Sequence, residues 1–186
     1  MKKHIITIGG LPGSGKSSTA KGVASMLGYQ HFSSGDFWRE VAIERGLTMA
    51  ELSKTAENDP SIDKMIDDTV RNAGAKSDIV IDSRLAFHWI PDAFKVFLHI
   101  DPHTASQRIF EQMQKVGRVN ETAESVEQAY NTTLERVQSE SKRYHELYGV
   151  SYIDESQYDL VVDTTRHPLV EVVQIITETY KKWLEN

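Results

Sequence analysis

The sequence predicts an α/β domain, a parallel sheet with helices on both faces. Two observations carry this prediction. Apolar, strand-like runs recur at 4–8, 29–32, 79–81, 96–100 and 160–162, with helical patterns between them, the alternation that produces a parallel sheet. The first run leads into Gly10-Leu11-Pro12-Gly13-Ser14-Gly15-Lys16-Ser17, followed by 18–27, where Ala20, Val23, Ala24 and Leu27 recur at helical spacing. Strand, glycine loop and helix in that order are the setting in which G-x-x-x-x-G-K-[ST] is a phosphate-binding loop.

The chemistry of that loop follows from its residue types. Glycines let the backbone bend where a Cβ would obstruct it. Successive N–H groups then turn inward, and the positive end of the following helix completes an anion site. Lys16 reaches toward β- and γ-phosphates, the Ser17 hydroxyl is a Mg²⁺ ligand, and Ser18 opens the helix beside them. The alternative is a glycine-rich βα turn that binds nothing.

Composition sets the remaining bounds. A chain of 186 residues and 21.1 kDa suits one domain with an inserted lobe. A net charge of -6 gives no reason to expect a nucleic-acid surface. The absence of cysteine excludes disulfides and Cys-based zinc sites and suits a reducing compartment. The chain enters its first strand within a few residues, and no run is long and apolar enough for a membrane span. A cytoplasmic, monomeric protein that binds neither membrane nor nucleic acid is the expectation.

Two stretches interrupt the simple alternation. Residues 34–73 read as three consecutive helices. Asp36 to Glu44 is the first, a Thr48/Glu51 capping box opens the second, and Pro60 ends it so that Ser61 caps the third. The carboxylates Glu51, Glu57, Asp59, Asp63, Asp67 and Asp68 are expected mostly on a solvated face. In the second stretch, Thr104 is expected to cap a helix carrying Arg108, Ile109 and Met113, and a polar segment follows at 115–121. Ser125 with Gln128 then opens a long helix whose Val126, Tyr130, Leu134, Val137, Tyr144 and Tyr148 form one apolar stripe. Two helices joined by a polar hinge suit a mobile cover. A last helix is expected to open at Pro168.

Candidate chemistry clusters at the strand ends. Ile79-Val80-Ile81-Asp82 is an apolar strand ending in a carboxylate, placed to orient water on Mg²⁺, or else simply to cap the next element. Arg84 lies two residues on, and Arg39 follows the second strand. Two guanidinium forks at neighbouring strand ends suit a phosphate monoester. Arg136 and Arg143 share one helix face. Spacing alone supports equally a pair that balances charge on a phosphoryl group in flight and a solvent-facing stripe paired with Glu140. The seven histidines form no metal constellation, and Trp38, Phe87 and Trp89 read as core or pocket wall.

With these residues located, the sequence resembles the nucleoside monophosphate kinases, most closely the archaeal-type cytidylate kinases. The resemblance spans the phosphate loop, Ser33-Ser34-Gly35-Asp36-Phe37-Trp38-Arg39, the segment 56–63, Asp82-Ser83-Arg84-Leu85-Ala86, the block from Glu135-Arg136 to Lys142-Arg143-Tyr144, Tyr148-Gly149-Val150 and 158–164. It implies a P-loop NTPase fold with a five-stranded sheet, a core of 1–33, 75–109 and 136–186, a nucleoside-monophosphate lobe at 34–74 and a lid at 110–135. It implies MgATP as donor and CMP or dCMP as acceptor. Carried over by position, Ser34, Gly35, Asp36, Arg39, Asp59, Asp63, Arg84 and Arg118 would hold the acceptor. Lys16, Arg84, Arg136 and Arg143 would act on the transferring group. Gly10, Leu11, Pro12, Gly13, Ser14, Gly15, Lys16, Ser17 and Ser18, with Arg108 and Thr164 near the adenine, would hold ATP, and Ser17 and Asp82 would hold Mg²⁺. Many relatives carry Glu-Gly where this chain has Asp82-Ser83, and often Asp where it has Ser151. The alternatives are a kinase for another nucleoside monophosphate or small metabolite, and an ATP-binding switch without transferase activity.

Overall fold

The computed structural model describes residues 3–116 and 123–185. Five strands, β1 (Ile5–Gly10), β2 (Gln30–Ser33), β3 (Ile79–Asp82), β4 (Phe94–His99) and β5 (Leu160–Asp163), form one parallel sheet in the order β2-β3-β1-β4-β5. The five apolar runs are the five strands, with ends moved by one or two residues. The helices are α1 (Lys16–Leu27), α2 (Ser34–Glu44), α3 (Met49–Ala56), α4 (Pro60–Ala73), α5 (Ala86–Trp89), α6 (Pro102–Val116), α7 (Val126–Tyr148) and α8 (Leu169–Glu185).

Central strand β1 is buried along its whole length, as expected for a strand covered on both faces. Ile6 and Ile8 pack with Ala20 and Val23 of α1 and with Val172 and Ile176 of α8. Ile5 faces the other way, onto Val70 of α4 and Ala86 and Ile90 near α5. Helices α2, α3 and α4 form the expected three-helix lobe and carry their own core, including Trp38, Val41, Leu52, Ile62 and Ile66. Among the described residues no helix is long and apolar enough to cross a membrane.

The caps correct several expectations. Thr48 and Glu51 do form a capping box. Helix α4 is capped by Asp59, whose Oδ1 accepts the Ser61 N–H at 3.1 Å, and not by Ser61. Helix α6 is capped by Asp101, whose Oδ1 accepts the Thr104 N–H at 2.9 Å, and not by Thr104. Both corrections have one cause. Pro60 and Pro102 occupy the first helical position, where a missing N–H costs nothing, so the cap is the residue before them. At α8, Pro168 precedes the helix and accepts the Val172 N–H at 3.1 Å. Ser125 caps α7 as expected, but the Gln128 side chain accepts from the Glu124 N–H, one residue earlier than a capping box requires.

The apolar stripe expected on α7 is only in part its buried face: Tyr144 and Tyr148 pack against Leu85, Phe87 and Tyr152. Val126 and Leu134 are exposed, and the buried residues are Ala129, Glu140 and Arg143. With Thr133 and Arg136 these repeat at three and four, so α7 packs through a charged stripe whose members find partners across the interface. The boundary expected at 135 falls inside this continuous helix.

Candidate active site

The site begins at the carboxyl end of β1, the usual ligand end of an open α/β sheet. At Gly10 (φ 137°) an added Cβ would lie 2.5 Å from the Leu98 carbonyl oxygen, and at Gly13 (φ 81°) 2.7 Å from that of Ala105. The loop therefore follows a path that only glycine permits at these two points. Ser14 is buried, its Oγ donating to the Leu11 carbonyl at 2.8 Å. Gly15 precedes α1 without a side-chain cap, and no acidic residue lies in the first turn. The first-turn N–H groups and the helix dipole thus face the loop with no side chain satisfying them, a donor set that fits phosphate.

Asp82 stands at the end of β3, next to β1, and accepts the Ser17 hydroxyl at 2.5 Å and the Ser33 hydroxyl at 3.2 Å. The ends of β2 and β3 and the first turn of α1 thus deliver hard oxygen donors to one point, which suits Mg²⁺. The expected Ser17/Asp82 pairing is present, and Ser33 is a third member that sequence reasoning missed.

Lys16 donates from Nζ to the Leu11 carbonyl at 2.9 Å. Its pKa is lowered to about 7, first by burial and next by the charge of Arg84. Arg84 Nε lies 2.6 Å from Oε2 of Glu140, and Arg136 Nε donates to Oε1 of the same carboxylate at 3.0 Å. Burial opposes the charge of Glu140, but Arg84 and Arg136 overcome it and hold the carboxyl below its usual range. One buried carboxylate therefore fixes two guanidinium groups beside a lysine that burial and Arg84 push toward neutrality. A polyanion at this place restores the Lys16 charge. Titrating the protein with MgATP at pH 8 is therefore expected to take up close to one proton, because Lys16 is mostly neutral before binding and protonated after it. Calorimetry in buffers of different ionisation enthalpy measures this uptake. Heats that do not depend on the buffer would contradict it.

A cleft of about 940 Å³ borders Lys16, Ser17, Arg39, Arg84, Arg108 and Arg136. A smaller cavity of about 30 Å³ lies against it, walled by Trp38, Asp63, Ile66, Asp67, Leu85 and Tyr144. Ser34, Gly35, Ser83, Arg84 and Arg136 border both spaces. Ser34 and Gly35 open α2, whose cap Ser33 accepts the Asp36 N–H at 3.4 Å. Asp36 pairs with Arg39 one turn on, leaving that half-exposed guanidinium at the cleft wall.

The remaining expected site residues divide between the site and the scaffold around it. Asp59 caps α4 and lines neither space. Arg143 is buried and lines neither space, and its guanidinium is held by Asp63 at 2.9 Å and 3.5 Å, by Ser139 at 2.8 Å and by Ser53 at 3.3 Å. It joins α7 to α3 and α4, so the expected Arg136/Arg143 pair divides. Arg136 borders the cleft, and Arg143 fastens the lobe. Arg108 donates to the Thr164 carbonyl at 2.9 Å, bringing together the two residues expected near the adenine, while the Thr164 hydroxyl turns to the His99 carbonyl at 3.0 Å. Arg118 lies outside the described residues. The carboxylates Asp63 and Asp67, expected on a solvated face, are buried.

Fold and site together define a P-loop kinase. Residues 9–127 match the AAA domain family. The chain is 42% identical over 166 residues to a cytidylate kinase of Natronomonas pharaonis, covering 87% of this chain and 81% of that one. It is 38% identical over 189 residues to a cytidylate kinase of Methanopyrus kandleri, covering 97% and 95%. A shikimate kinase structure from Bacteroides thetaiotaomicron superposes with a TM-score of 0.65 at 13% identity, covering 95% and 98%, a likeness of fold. The chain belongs to the cytidylate kinase family.

Proposed function

We propose that this protein transfers the γ-phosphoryl group of MgATP to the 5′-phosphate of CMP or dCMP. A bond forms between an acceptor phosphate oxygen and the γ-phosphorus, the bond from that phosphorus to the β,γ-bridging oxygen breaks, and ADP leaves. The observation that carries this reading is Arg84. It borders both the cleft above the phosphate loop and the side cavity, and it stands beside Lys16. A phosphate held there has the donor loop on one side and the side cavity on the other.

The acceptor phosphate has a second pKa of about 6 and is mostly a dianion at neutral pH, so no general base is required. Catalysis then consists of alignment and charge stabilisation. Arg39 and Arg84 hold the acceptor phosphate, and Arg136 with Lys16 balances charge on the transferring group. Loop N–H groups hold the donor phosphates, and Ser17 and Asp82 hold Mg²⁺, which neutralises phosphate charge when bound. The adenine lies toward Arg108 and Thr164. Closure of the lobe at 34–74 over the cleft excludes water as a competing acceptor. The protein works as a cytoplasmic monomer on free nucleotides, consistent with its acidic charge and lack of cysteine.

Resolving the nucleotides of a reaction containing MgATP and CMP tests the reading. One CDP is expected per ADP, and CDP with ADP is expected to run the reaction backward. ADP that accumulates with inorganic phosphate, and without CDP, would overturn it.

A further inference from the structure

Resting on the acceptor site just described, we propose that Asp67 reads the base. As a carboxylate it accepts a hydrogen bond from the exocyclic amino group of a cytosine and repels the O4 carbonyl of a uracil. Asp63 and Asp67 lie one turn apart on α4 and both wall the side cavity. Asp63 has both oxygens engaged by Arg143, at 2.9 Å and 3.5 Å. Asp67 is 5% exposed and accepts the Tyr148 hydroxyl on Oδ2 at 2.6 Å, which fixes its carboxylate and leaves acceptor capacity on the group. Trp38 walls the same cavity, and its buried Nε1 has no hydrogen-bond partner among the described residues. At about 30 Å³ the cavity is tighter than any base. Seating a pyrimidine there requires the cavity wall to open, and a purine requires it to open further.

The charge of Asp67 decides between the two pyrimidines. An ionised carboxylate accepts from the cytosine N4–H but has nothing to offer uracil O4. A protonated carboxyl group pairs with either base, because its O–H can donate to cytosine N3 or to uracil O4 while its other oxygen accepts. Burial pushes the Asp67 carboxyl up to about 6. The groups facing it are Tyr148 from α7, Trp89 from α5, and Asp63 and Arg71 from α4. Preference for cytosine over uracil therefore rises as pH climbs through 6.

The test is a competition between CMP and UMP from pH 5.5 to 8, read as the ratio of their kcat/KM values. Ionisation of the acceptor phosphate and of Lys16 is common to both substrates and cancels in this ratio. Wild-type protein is expected to gain about tenfold in the ratio across pH 6. Asp67→Asn is expected to lower the ratio about 10- to 100-fold at pH 8 and make it independent of pH, because an amide can donate to O4. A variant with the wild-type ratio, or an active wild type with a flat ratio, overturns the inference. If the variant does not fold, the wild-type profile decides alone. A wild type that phosphorylates neither nucleotide overturns the acceptor site itself, and this inference with it.

Discussion

Replacing Arg84 with alanine is expected to lower turnover with CMP by about 10²- to 10³-fold, the usual loss when one positioned charge donor is removed from a transition state. MgATP affinity is expected to stay near the wild-type value. Arg84 stands where the cleft meets the side cavity, and in the proposed arrangement the loop N–H groups and Lys16 would hold the donor from the other side. The substitution also relieves Lys16 of a neighbouring positive charge, which now contributes to its lowered pKa. Proton uptake on MgATP binding at pH 8 should therefore shrink in the variant. Kinetics and calorimetry on the same preparation check both effects. Turnover with CMP that survives the substitution would mean that Arg84 does not hold the acceptor phosphate.

Substituting Glu140 with glutamine is expected to cost about 3 kcal/mol of stability, because two guanidinium groups lose the buried carboxylate that pairs them. For a chain of this size that lowers Tm by about 6–12 °C. Arg84 and Arg136 also lose the geometry that aims them, so kcat falls in a variant that still folds. The sign of the pH dependence follows from the carboxyl being held below its ordinary value of 4.5. Its contribution is complete above pH 4.5 and is lost as pH falls through its lowered pKa. The Tm gap between wild type and variant should therefore be largest near neutrality and narrow in acid. A gap that does not change with pH would mean that the charge of Glu140 is not what stabilises the fold.

The parts of this site that depend on local chain geometry were legible in the sequence. The phosphate loop is one, since its glycine and lysine spacing is itself the backbone path, and the apolar β3 ending in Asp82 is another. Arg39 and Arg84 could be placed because strand ends in a parallel sheet converge, whereas for Arg136, within α7, spacing left two readings open. Arg143 could not, because its partner Asp63 is 80 residues away and comes from another helix. The same distance hid Asp67, which counts as a surface acid until Tyr148 of α7 reaches it. A signal was present all the same. Asp63 and Asp67 follow Ile62 and Ile66 by one residue each, placing both carboxylates beside the apolar face of α4. On α7 the apolar pattern held at Tyr144 and Tyr148 but misled at Val126 and Leu134, because Glu140 and Arg143 are buried through pairing and not through hydrophobicity. Residues 129, 133, 136, 140 and 143 carry the helical period that Val126 and Leu134 only imitate.

The most direct measurement is ADP release from MgATP with CMP, dCMP, UMP, AMP or GMP as acceptor, alongside a control without acceptor. Release is expected to concentrate on CMP and dCMP at pH 8, with the control near background. Release that is equal with and without acceptor would contradict it, because the arginines around Glu140 would then have no acceptor phosphate to hold.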